Sequence, residues 1–315
     1  MKISGTGSVL PKKIVTNDML SEFLDTSDEW IYPRTGVRSR HVISDERLED
    51  MAIEASKKAL ADAGINASDL DYIICSNVVN EYITPQLSCI IQGGIGATCP
   101  CIDINCACAG FIYALQIAES FYRSGFVKNV LIVSAEEPTR MTDWTDRRTC
   151  VLFGDGAGAA VLTPGDNIKG FSMSAASATD KLYQIRTLQP TPYITKEEKD
   201  VPLQMKGQDV FKFAVKASSS DITKLLKNNS LEASDVDYIL LHQANKRIIN
   251  TIREFLDQPM EKFPVNIEDH GNSSSSCCPI LLDECNRKGL FKEGDKVVLC
   301  AFGAGFVSGA VLLEW

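Results

Sequence analysis

Three residues in separate parts of the chain have the chemistry for acyl transfer through a thioester. Cys108 lies in the segment DINCACAGFIYAL, between a strand-like run and a helix-like run. A thiol at a helix start is favoured as the thiolate, and the amides of that first turn can donate to an oxyanion. His242 in LLHQANKR and Asn272 in HGNSSSS supply a histidine and an amide. The three together predict covalent catalysis at Cys108.

Structural roles are the alternative for two of these residues. Histidines at strand ends are often only hydrogen-bonded, and His242 follows the apolar run DYILL. Asn272 stands beside a glycine, as is typical of a turn, and its serine run also suits a flexible linker. Because apolar PILLDECNRKGLF follows directly, we favour a helix start whose small residues allow close packing.

The composition is typical of a soluble globular enzyme. The 315 residues are 44% hydrophobic and 23% charged, enough for one large domain or two ordinary ones. A net charge of −9 argues against nucleic acid as a partner. No apolar run is long enough to span a membrane, and the N-terminus lacks the apolar core of a secretory signal. We therefore expect a cytoplasmic protein with no membrane partner.

The eleven cysteines do not have the spacing of a metal site. They include the C-x-C pairs Cys99/Cys101 and Cys106/Cys108 and the adjacent pair Cys277/Cys278, but no C-x₂-C pair. With only three histidines, a metal cage would need mostly thiolates. We expect no metal, and small buried thiols in a reducing compartment.

The sequence contains an internal repeat. INASDLDYIICSNV, starting at Ile65, aligns without gaps with LEASDVDYILLHQA, starting at Leu231, at an offset of 166. KNVLIVSA from Lys128 and DKVVLCAF from Asp295 are apolar runs at an offset of 167. A glycine-punctuated apolar run follows each of them. Two matches in the same register indicate a doubled unit.

The repeat predicts two similar α/β halves, 1–165 and 166–315, with parallel or mixed sheets flanked by helices. Cys108 falls in the first half, whereas His242 and Asn272 fall in the second. The site is therefore expected in a pocket between the halves, at strand ends and helix starts. The stretch from Ala175 to Lys206 lacks periodicity and is predicted to be an exposed loop or lid.

Two glycine-rich segments follow the apolar runs of the repeat. FGAGF (Phe302–Phe306) completes no phosphate-loop pattern, and its small residues let backbone N–H groups approach a ligand as in an oxyanion hole. GDGAG (Gly154–Gly158), its counterpart, is predicted to be a structural turn.

Several basic residues stand out in this acidic chain. They are Arg34 near Trp30, the adjacent pair Arg147 and Arg148, and the pair Lys246 and Arg247 after His242. Solvated surface charge explains any one of them. Together they could bind a phosphate and stack an adenine, as a CoA-type substrate requires.

The chain resembles the β-ketoacyl-acyl-carrier-protein synthase III family of thiolase-fold condensing enzymes. The resemblance runs nearly from end to end, through TSDEWI, RTG, ACAGF, DWTDR, TCVLFGDGAGAAVL, HQAN, HGN and FGAGF. It implies a thiolase-like fold, for which the internal doubling is expected. It also implies condensation of an acyl-CoA primer with malonyl-acyl carrier protein, with loss of CO₂, to initiate fatty acid synthesis.

The resemblance implies a role for individual residues. Cys108 would be acylated, His242 and Asn272 would stabilise the enolate, and the backbone N–H groups of Cys108 and Ala304 would form the oxyanion hole. Phe302 would shield the decarboxylation site. The other implied contacts are with CoA (Trp30, Arg34, Arg147), with the carrier protein (Lys246, Arg247) and with the acyl chain (Thr84, Phe153, Met205).

The chain departs from the family pattern at several positions. Cys106 replaces an alanine before the nucleophile, and YPRTG replaces a more typical VTRTG at the CoA edge. Thr84 lies where many relatives carry a bulky aromatic residue at the acyl channel. We therefore expect a pocket that accepts chains longer than acetyl.

The resemblance also implies a homodimer, and acyl-CoA as a substrate with no resident cofactor. One alternative within the fold is an acyltransferase of a specialised pathway that forms an ester or amide without decarboxylation. The presence of both His242 and Asn272 argues against it. A papain-type hydrolase lacks support because its C-G-S-C-W signature is absent. A non-catalytic scaffold is disfavoured by the presence of all three site residues.

Overall fold

The computed structural model describes residues 1–189, 191–194 and 199–315. It contains two large mixed β-sheets. The first sheet has the order β1 (Lys2–Val9), β7 (Gly156–Thr163), β6 (Val130–Glu136), β4 (Tyr72–Ser76), β5 (Cys101–Ile104). The second has the order β11 (Tyr238–Leu241), β12 (Lys296–Gly303), β13 (Val307–Glu314), β8 (Ile168–Ala175). Two small sheets pair β2 (Lys13–Thr16) with β3 (Ser39–Val42), and β9 (Leu182–Ile185) with β10 (Val201–Met205).

The helices are α1 (Asn17–Ser21), α2 (Asp28–Thr35), α3 (Leu48–Ala63), α4 (Leu87–Ile95), α5 (Gly110–Arg123), α6 (Gly207–Asn228), α7 (Lys246–Phe255), α8 (Ile267–His270) and α9 (Cys277–Arg287). Among the residues that the structure describes, none of these helices is both long and apolar enough to cross a bilayer.

The large sheets and their helices form five alternating layers. A central hydrophobic core joins α5 and α9 to strands of both sheets. A second core packs α3 and α4 on the outside of the first sheet, and a third packs α6 and α7 on the outside of the second. Strands covered on both faces need continuous apolar sequence, and every residue of β6 (VLIVSAE) is buried. The predicted α/β architecture, with mixed sheets flanked and separated by helices, is confirmed.

The internal repeat of the sequence is visible element by element. Strands β4, β6 and β7 have the same order and directions as β11, β12 and β13, with one parallel and one antiparallel pairing in each set. The ASD triplets of the repeat, Ala67–Asp69 and Ala233–Asp235, each form a 3-10 turn that precedes the first strand of the set. The predicted boundary after residue 165 falls between β7 and β8.

The prediction of an exposed loop between Ala175 and Lys206 is only partly correct. The segment contains β9 and β10, which form an antiparallel pair, and Leu203 is buried in a core beside Phe153. Leu188 is exposed. Residue 190 and residues 195–198 lie outside the described residues.

Candidate active site

Cys108 occupies a tight turn between a strand and a helix. It is the middle residue of the 3-10 turn Ala107–Ala109, which connects β5 to α5. Ala107 adopts a positive φ of 46°, and its N–H donates to Oδ1 of Asn105 at 3.1 Å. A Cβ on Gly110 would lie 1.8 Å from Ser76 Oγ, so only glycine lets α5 start this close to β4.

A second turn of the same geometry packs against the first. It spans Ser274–Ser276 at the start of α9; Ser274 has a φ of 55°, and its N–H donates to Oδ1 of Asn272 at 2.9 Å. Asn105 and Asn272 are therefore equivalent positions of the internal repeat. The Cys108 Sγ lies 3.5 Å from Ser274 Oγ. The repeat thus brings Asn272 to the nucleophile.

The hydrogen bonds of Asn272 leave the NH₂ group of its side chain available as a donor. Its backbone N–H donates to Leu152 O at 2.9 Å, and its carbonyl accepts from Gly154 N at 3.1 Å. Its Oδ1 accepts from the Ser274 N–H and from the Cys277 thiol at 3.6 Å. Since Oδ1 is engaged, Nδ2 is the end that can donate to a ligand.

His242 is a buried, neutral imidazole. Its backbone N–H donates to Cys300 O at 2.8 Å, which continues the pairing of β11 with β12. The ring packs edge-on against Phe302 with 5.3 Å between centroids. Burial lowers the pKa of His242 to about 3, so the ring is uncharged at physiological pH. Its Nδ1 has no hydrogen-bond partner among the described residues.

The FGAGF loop lies against the nucleophile turn. It connects β12 to β13, and a Cβ on Gly303 would lie only 2.7 Å from the backbone N of Cys108. Glycine at this position therefore allows the contact between the loop and the turn. Gly305 has a φ of 138°, which side-chain-bearing residues rarely adopt. Ala304, between these glycines, lines the same cavity as Cys108.

The prediction that Cys108 is favoured as the thiolate is wrong for this structure. Burial raises the pKa of Cys108 to about 12. Hydrogen bonds from Ser274 and from its own backbone N–H act in the opposite direction but are smaller. Removing the thiolate from water therefore outweighs the helix start, and the resting group is the thiol.

One cavity of about 740 Å³ contains Cys108, His242, Asn272 and Ala304 in its lining. Its size is within the usual range for a ligand site. The rest of its wall is mostly apolar, and includes Val78, Val79, Pro138, Met141, Leu152, Phe153, Leu182, Leu203, Met205, Val210, Ile248 and Phe302. The cavity therefore places Cys108 near the polar side chains of His242 and Asn272. Its apolar wall leaves space for an apolar chain.

Comparisons with known proteins show the family to which the chain belongs. Two family models match, "3-Oxoacyl-[acyl-carrier-protein (ACP)] synthase III" over residues 102–180 and its C-terminal part over residues 226–315. The β-ketoacyl-[acyl-carrier-protein] synthase III of Xanthomonas campestris is 43% identical over 100% of this chain and 98% of its own length. The enzyme of the same name from Clostridium beijerinckii is 42% identical over 100% and 99%. The chain belongs to the β-ketoacyl-acyl-carrier-protein synthase III family. It is a condensing acyltransferase enzyme of this type.

A solved structure supports the same assignment. The crystal structure of the 3-oxoacyl-[acyl-carrier-protein] synthase III of Aquifex aeolicus superposes with a TM-score of 0.92 at 39% identity. The match covers 100% of this chain and 99% of that one.

The residues that the synthase III resemblance assigns to the acyl chain are only partly together. Phe153 and Met205 line the cavity. Thr84 is exposed in the loop before α4 and is not part of the lining. Within this single chain, the end of the cavity is therefore formed by residues other than Thr84.

The residues assigned to CoA form one cluster. The guanidinium groups of Arg34 and Arg147 each lie 4.8 Å from the centre of the Trp30 ring. The Arg147 guanidinium also donates hydrogen bonds to Asp25. One goes to the backbone oxygen of Asp25, and the other goes to the Asp25 carboxylate at 3.1 Å. A flat aromatic ring beside two cations suits a purine and its phosphates.

The two residues assigned to the carrier protein differ in their surroundings. The ammonium group of Lys246 lies 3.4 Å from both Tyr32 Oη and the Glu268 carboxylate, so it connects α7 to α2 and α8. Arg247 is exposed, and its guanidinium lies 5.9 Å from the Phe211 ring centre. Arg247 is therefore the more available of the two for a partner.

Sequence reasoning missed two groups beside the nucleophile, Ser274 and the buried carboxyl of Glu136. The register of the repeat carried a signal for Ser274, because it stands 167 residues after Ala107. No sequence pattern marks Glu136, which ends the mostly apolar strand β6.

Proposed function

We propose that this synthase III condenses an acyl-CoA primer with malonyl-acyl carrier protein through an acyl-Cys108 intermediate, and so initiates fatty acid synthesis. The observation that carries this proposal is the cavity that joins Cys108 to His242 and Asn272. A cysteine alone would serve many acyl transfers. The added pair of neutral donors suits a reaction in which a thioester oxygen becomes an enolate.

In the first half-reaction, the Cys108 sulfur attacks the carbonyl carbon of the acyl-CoA. The backbone N–H groups of Cys108 and Ala304 donate to the oxyanion that forms. The bond to the CoA sulfur then breaks, and a new thioester on Cys108 remains. A cysteine suits this exchange because a thioester is replaced by another thioester of similar energy.

In the second half-reaction, His242 and Asn272 donate to the carbonyl oxygen of the malonyl thioester. The bond between the malonyl methylene carbon and the carboxylate breaks, and CO₂ leaves. The electron pair of this broken bond forms the enolate. The enolate carbon attacks the acyl-Cys108 carbonyl, and the Cys108 sulfur leaves. Phe302, edge-on to His242, shields this oxygen from water.

The tautomer of His242 follows from its burial. A neutral imidazole carries one N–H, and an unpaired buried N–H costs more than an unpaired buried lone pair. Because Nδ1 is buried without a partner among the described residues, the proton belongs on Nε2. His242 then acts as a hydrogen-bond donor and does not need to change charge.

Substrate binding uses two surface regions in this proposal. Trp30 stacks the adenine of CoA while Arg34 and Arg147 bind its phosphates. Arg247 binds an acidic group of the carrier protein, and Lys246 contributes mainly by holding α7 against α2.

The acyl chain lies in the apolar part of the cavity, past Phe153 and Met205. The volume of about 740 Å³ supports primers longer than acetyl. Acylation by acetyl-CoA alone, among primers of increasing length, would contradict this.

We also propose a cytoplasmic homodimer without a resident cofactor. The eleven cysteines, all of which lie in the described part of the chain, are free thiols, as is usual in the cytosol. The strand β5 is the last strand of the first sheet, and edge strands favour pairing with another chain. Light scattering after size exclusion tests the dimer. The condensation itself uses only the substrates and the side chains named above.

The test of the reaction is the ratio of CO₂ to CoA released from malonyl-carrier protein and an acyl-CoA. The proposal predicts one CO₂ per CoA and a 3-ketoacyl-carrier product. CoA release onto an alcohol or amine without CO₂ would identify the acyltransferase alternative instead.

A further inference from the structure

The side chain of Gln243 is buried directly after His242. Gln243 is 1% exposed, and its Nε2 donates to Leu241 O at 2.7 Å. Its Oε1 accepts from the backbone N–H groups of Asn266 at 3.2 Å and of Ile267 at 3.3 Å, where α8 begins. The opposite orientation of the amide would point its NH₂ group at two N–H donors, so the partners determine which end is the oxygen.

The helix α8 leads from these partners of Gln243 to Asn272. It is a single turn, in which the Gly271 N–H donates to Ile267 O at 3.0 Å. Asn272 follows Gly271 directly. A displacement of the start of α8 is therefore passed on to Asn272 over one helical turn.

Glu284 in α9 holds both ends of this turn. Its Oε2 accepts from Asn266 Nδ2 at 3.3 Å, before the first residue of α8. Its Oε1 bonds to Nε2 of His270, the last residue of α8, at 2.5 Å. With its two ends held by one carboxylate, α8 keeps its shape and transmits a shift instead of absorbing it.

The first half of the repeat makes the equivalent connection with a strand. Before Asn105, the counterpart of Asn272, lies β5, which pairs in parallel with β4. Before Asn272 lies α8, and β11, the counterpart of β4, is the last strand of its sheet. In the second half, the side chain of Gln243 thus makes the connection between strand end and asparagine turn that strand pairing makes in the first.

The other bonds of the two donors go to different halves of the chain. Asn272 bonds through its backbone to Leu152 and Gly154, in the first half. The backbone N–H of His242 donates to Cys300 O, in the second sheet. An oxygen that becomes an enolate needs both donors at hydrogen-bond distance at the same time. Gln243 joins the end of β11, which carries His242, to the helix that carries Asn272.

We propose that Gln243, acting through α8, sets the distance between the donors His242 and Asn272. The proposal rests on the condensation described above. Gln243 is a positioning residue, because it bonds to backbone groups on both sides and does not line the cavity. It supports the decarboxylation step, whereas acylation depends on the N–H groups of Cys108 and Ala304.

The variant Gln243→Met tests this because it keeps the length of the side chain and loses all three hydrogen bonds. The two half-reactions are measured separately, as the burst of CoA release from an acyl-CoA and as CO₂ release from malonyl-carrier protein. A displacement of about 1 Å at a reacting group costs on the order of 10²-fold in rate. We therefore expect kcat for CO₂ release to fall roughly 10²-fold, with KM for malonyl-carrier protein and the CoA burst within about 3-fold of the unchanged protein.

A merely structural role of Gln243 would give a different pattern. Partial unfolding lowers both half-reactions by the same factor, and this loss follows the folded fraction seen by circular dichroism. An equal loss in the two half-reactions would overturn the proposal. So would normal CO₂ release by the folded variant.

The matched control is Gln258→Met. The Nε2 of Gln258 also donates to the carbonyl two residues earlier, Leu256 O at 3.2 Å, but Gln258 follows α7 and does not line the cavity. Both half-reactions of this variant should stay within about 2-fold of the unchanged protein.

If Gln243→Met does not fold, Glu284→Ala decides. This variant releases both ends of α8 from α9 and leaves Gln243 in place. We expect CO₂ release to fall at least about 10-fold while the CoA burst is kept. Unchanged CO₂ release would overturn the proposal.

Crystal structures of the unchanged protein and of Gln243→Met test the positioning without any substrate. We expect the separation of His242 Nε2 and Asn272 Nδ2 to differ by at least about 0.5 Å, the tolerance of a working site. An unchanged separation would overturn the inference. If the unchanged protein released no CO₂ from malonyl-carrier protein, the proposed function would be refuted, and this separation would still decide the inference.

Discussion

Replacing Gly303 with alanine should separate the FGAGF loop from the nucleophile. The added Cβ would lie 2.7 Å from Cys108 N and 2.9 Å from Ala107 Cβ. To restore an ordinary contact, the loop or the turn must move by about 0.7 Å. An oxyanion hole needs both donors near 3 Å, so this shift removes most of one hydrogen bond.

The expected loss in acylation rate is therefore roughly 10²–10³-fold, equivalent to about 3–4 kcal/mol of transition-state stabilisation. Overpacking should also lower the free energy of unfolding by about 1–3 kcal/mol. The assay is the burst of CoA release after mixing with an acyl-CoA, at a temperature where circular dichroism shows the variant folded. The matched control is Gly93→Ala in α4, where an added Cβ meets nothing within 4 Å. A folded Gly303→Ala variant with a normal burst would refute the assignment of this loop to the oxyanion hole.

Three other substitutions test the remaining parts of the site. His242→Ala should still form acyl-Cys108 but lose malonyl decarboxylation by roughly 10²–10³-fold, and normal malonyl turnover would disprove its role. Trp30→Ala should raise KM for acyl-CoA roughly 10-fold through lost adenine stacking, while an acyl-pantetheine without the nucleotide should react as before. An equal effect on both substrates would contradict the stacking. Arg247→Glu should raise KM for malonyl-carrier protein, most strongly at low salt, with the acyl-CoA burst unchanged. If the KM for malonyl-carrier protein does not depend on salt in the unchanged protein or in Arg247→Glu, Arg247 does not contact the carrier protein.

The sequence predicted the fold and a common site for Cys108, His242 and Asn272, because each left a pattern in the chain. The cavity does bring the three residues together, and their catalytic roles stay predictions. The internal repeat predicts the same strand order in both halves. It therefore also predicts tight turns of equivalent geometry at equivalent positions. Cys108 and Asn272 belong to such turns, so their approach could be anticipated.

The parts that sequence could not predict depend on surroundings in space. The thiol state of Cys108 reflects burial, which no local motif encodes, and it outweighs the helix start that the motif does encode. The Lys246 side chain is engaged by Tyr32 and Glu268, which are far apart in sequence. Thr84 is near the site in the sequence pattern but exposed outside the cavity in the single chain.

The most direct test of the central claim is the intact mass of the protein after mixing with acetyl-, isobutyryl- and octanoyl-CoA, and again after malonyl-carrier protein is added. We expect an acyl adduct that maps to Cys108 and disappears as a 3-ketoacyl-carrier product forms. No adduct from any CoA ester, or an adduct that maps to Cys106, would contradict it.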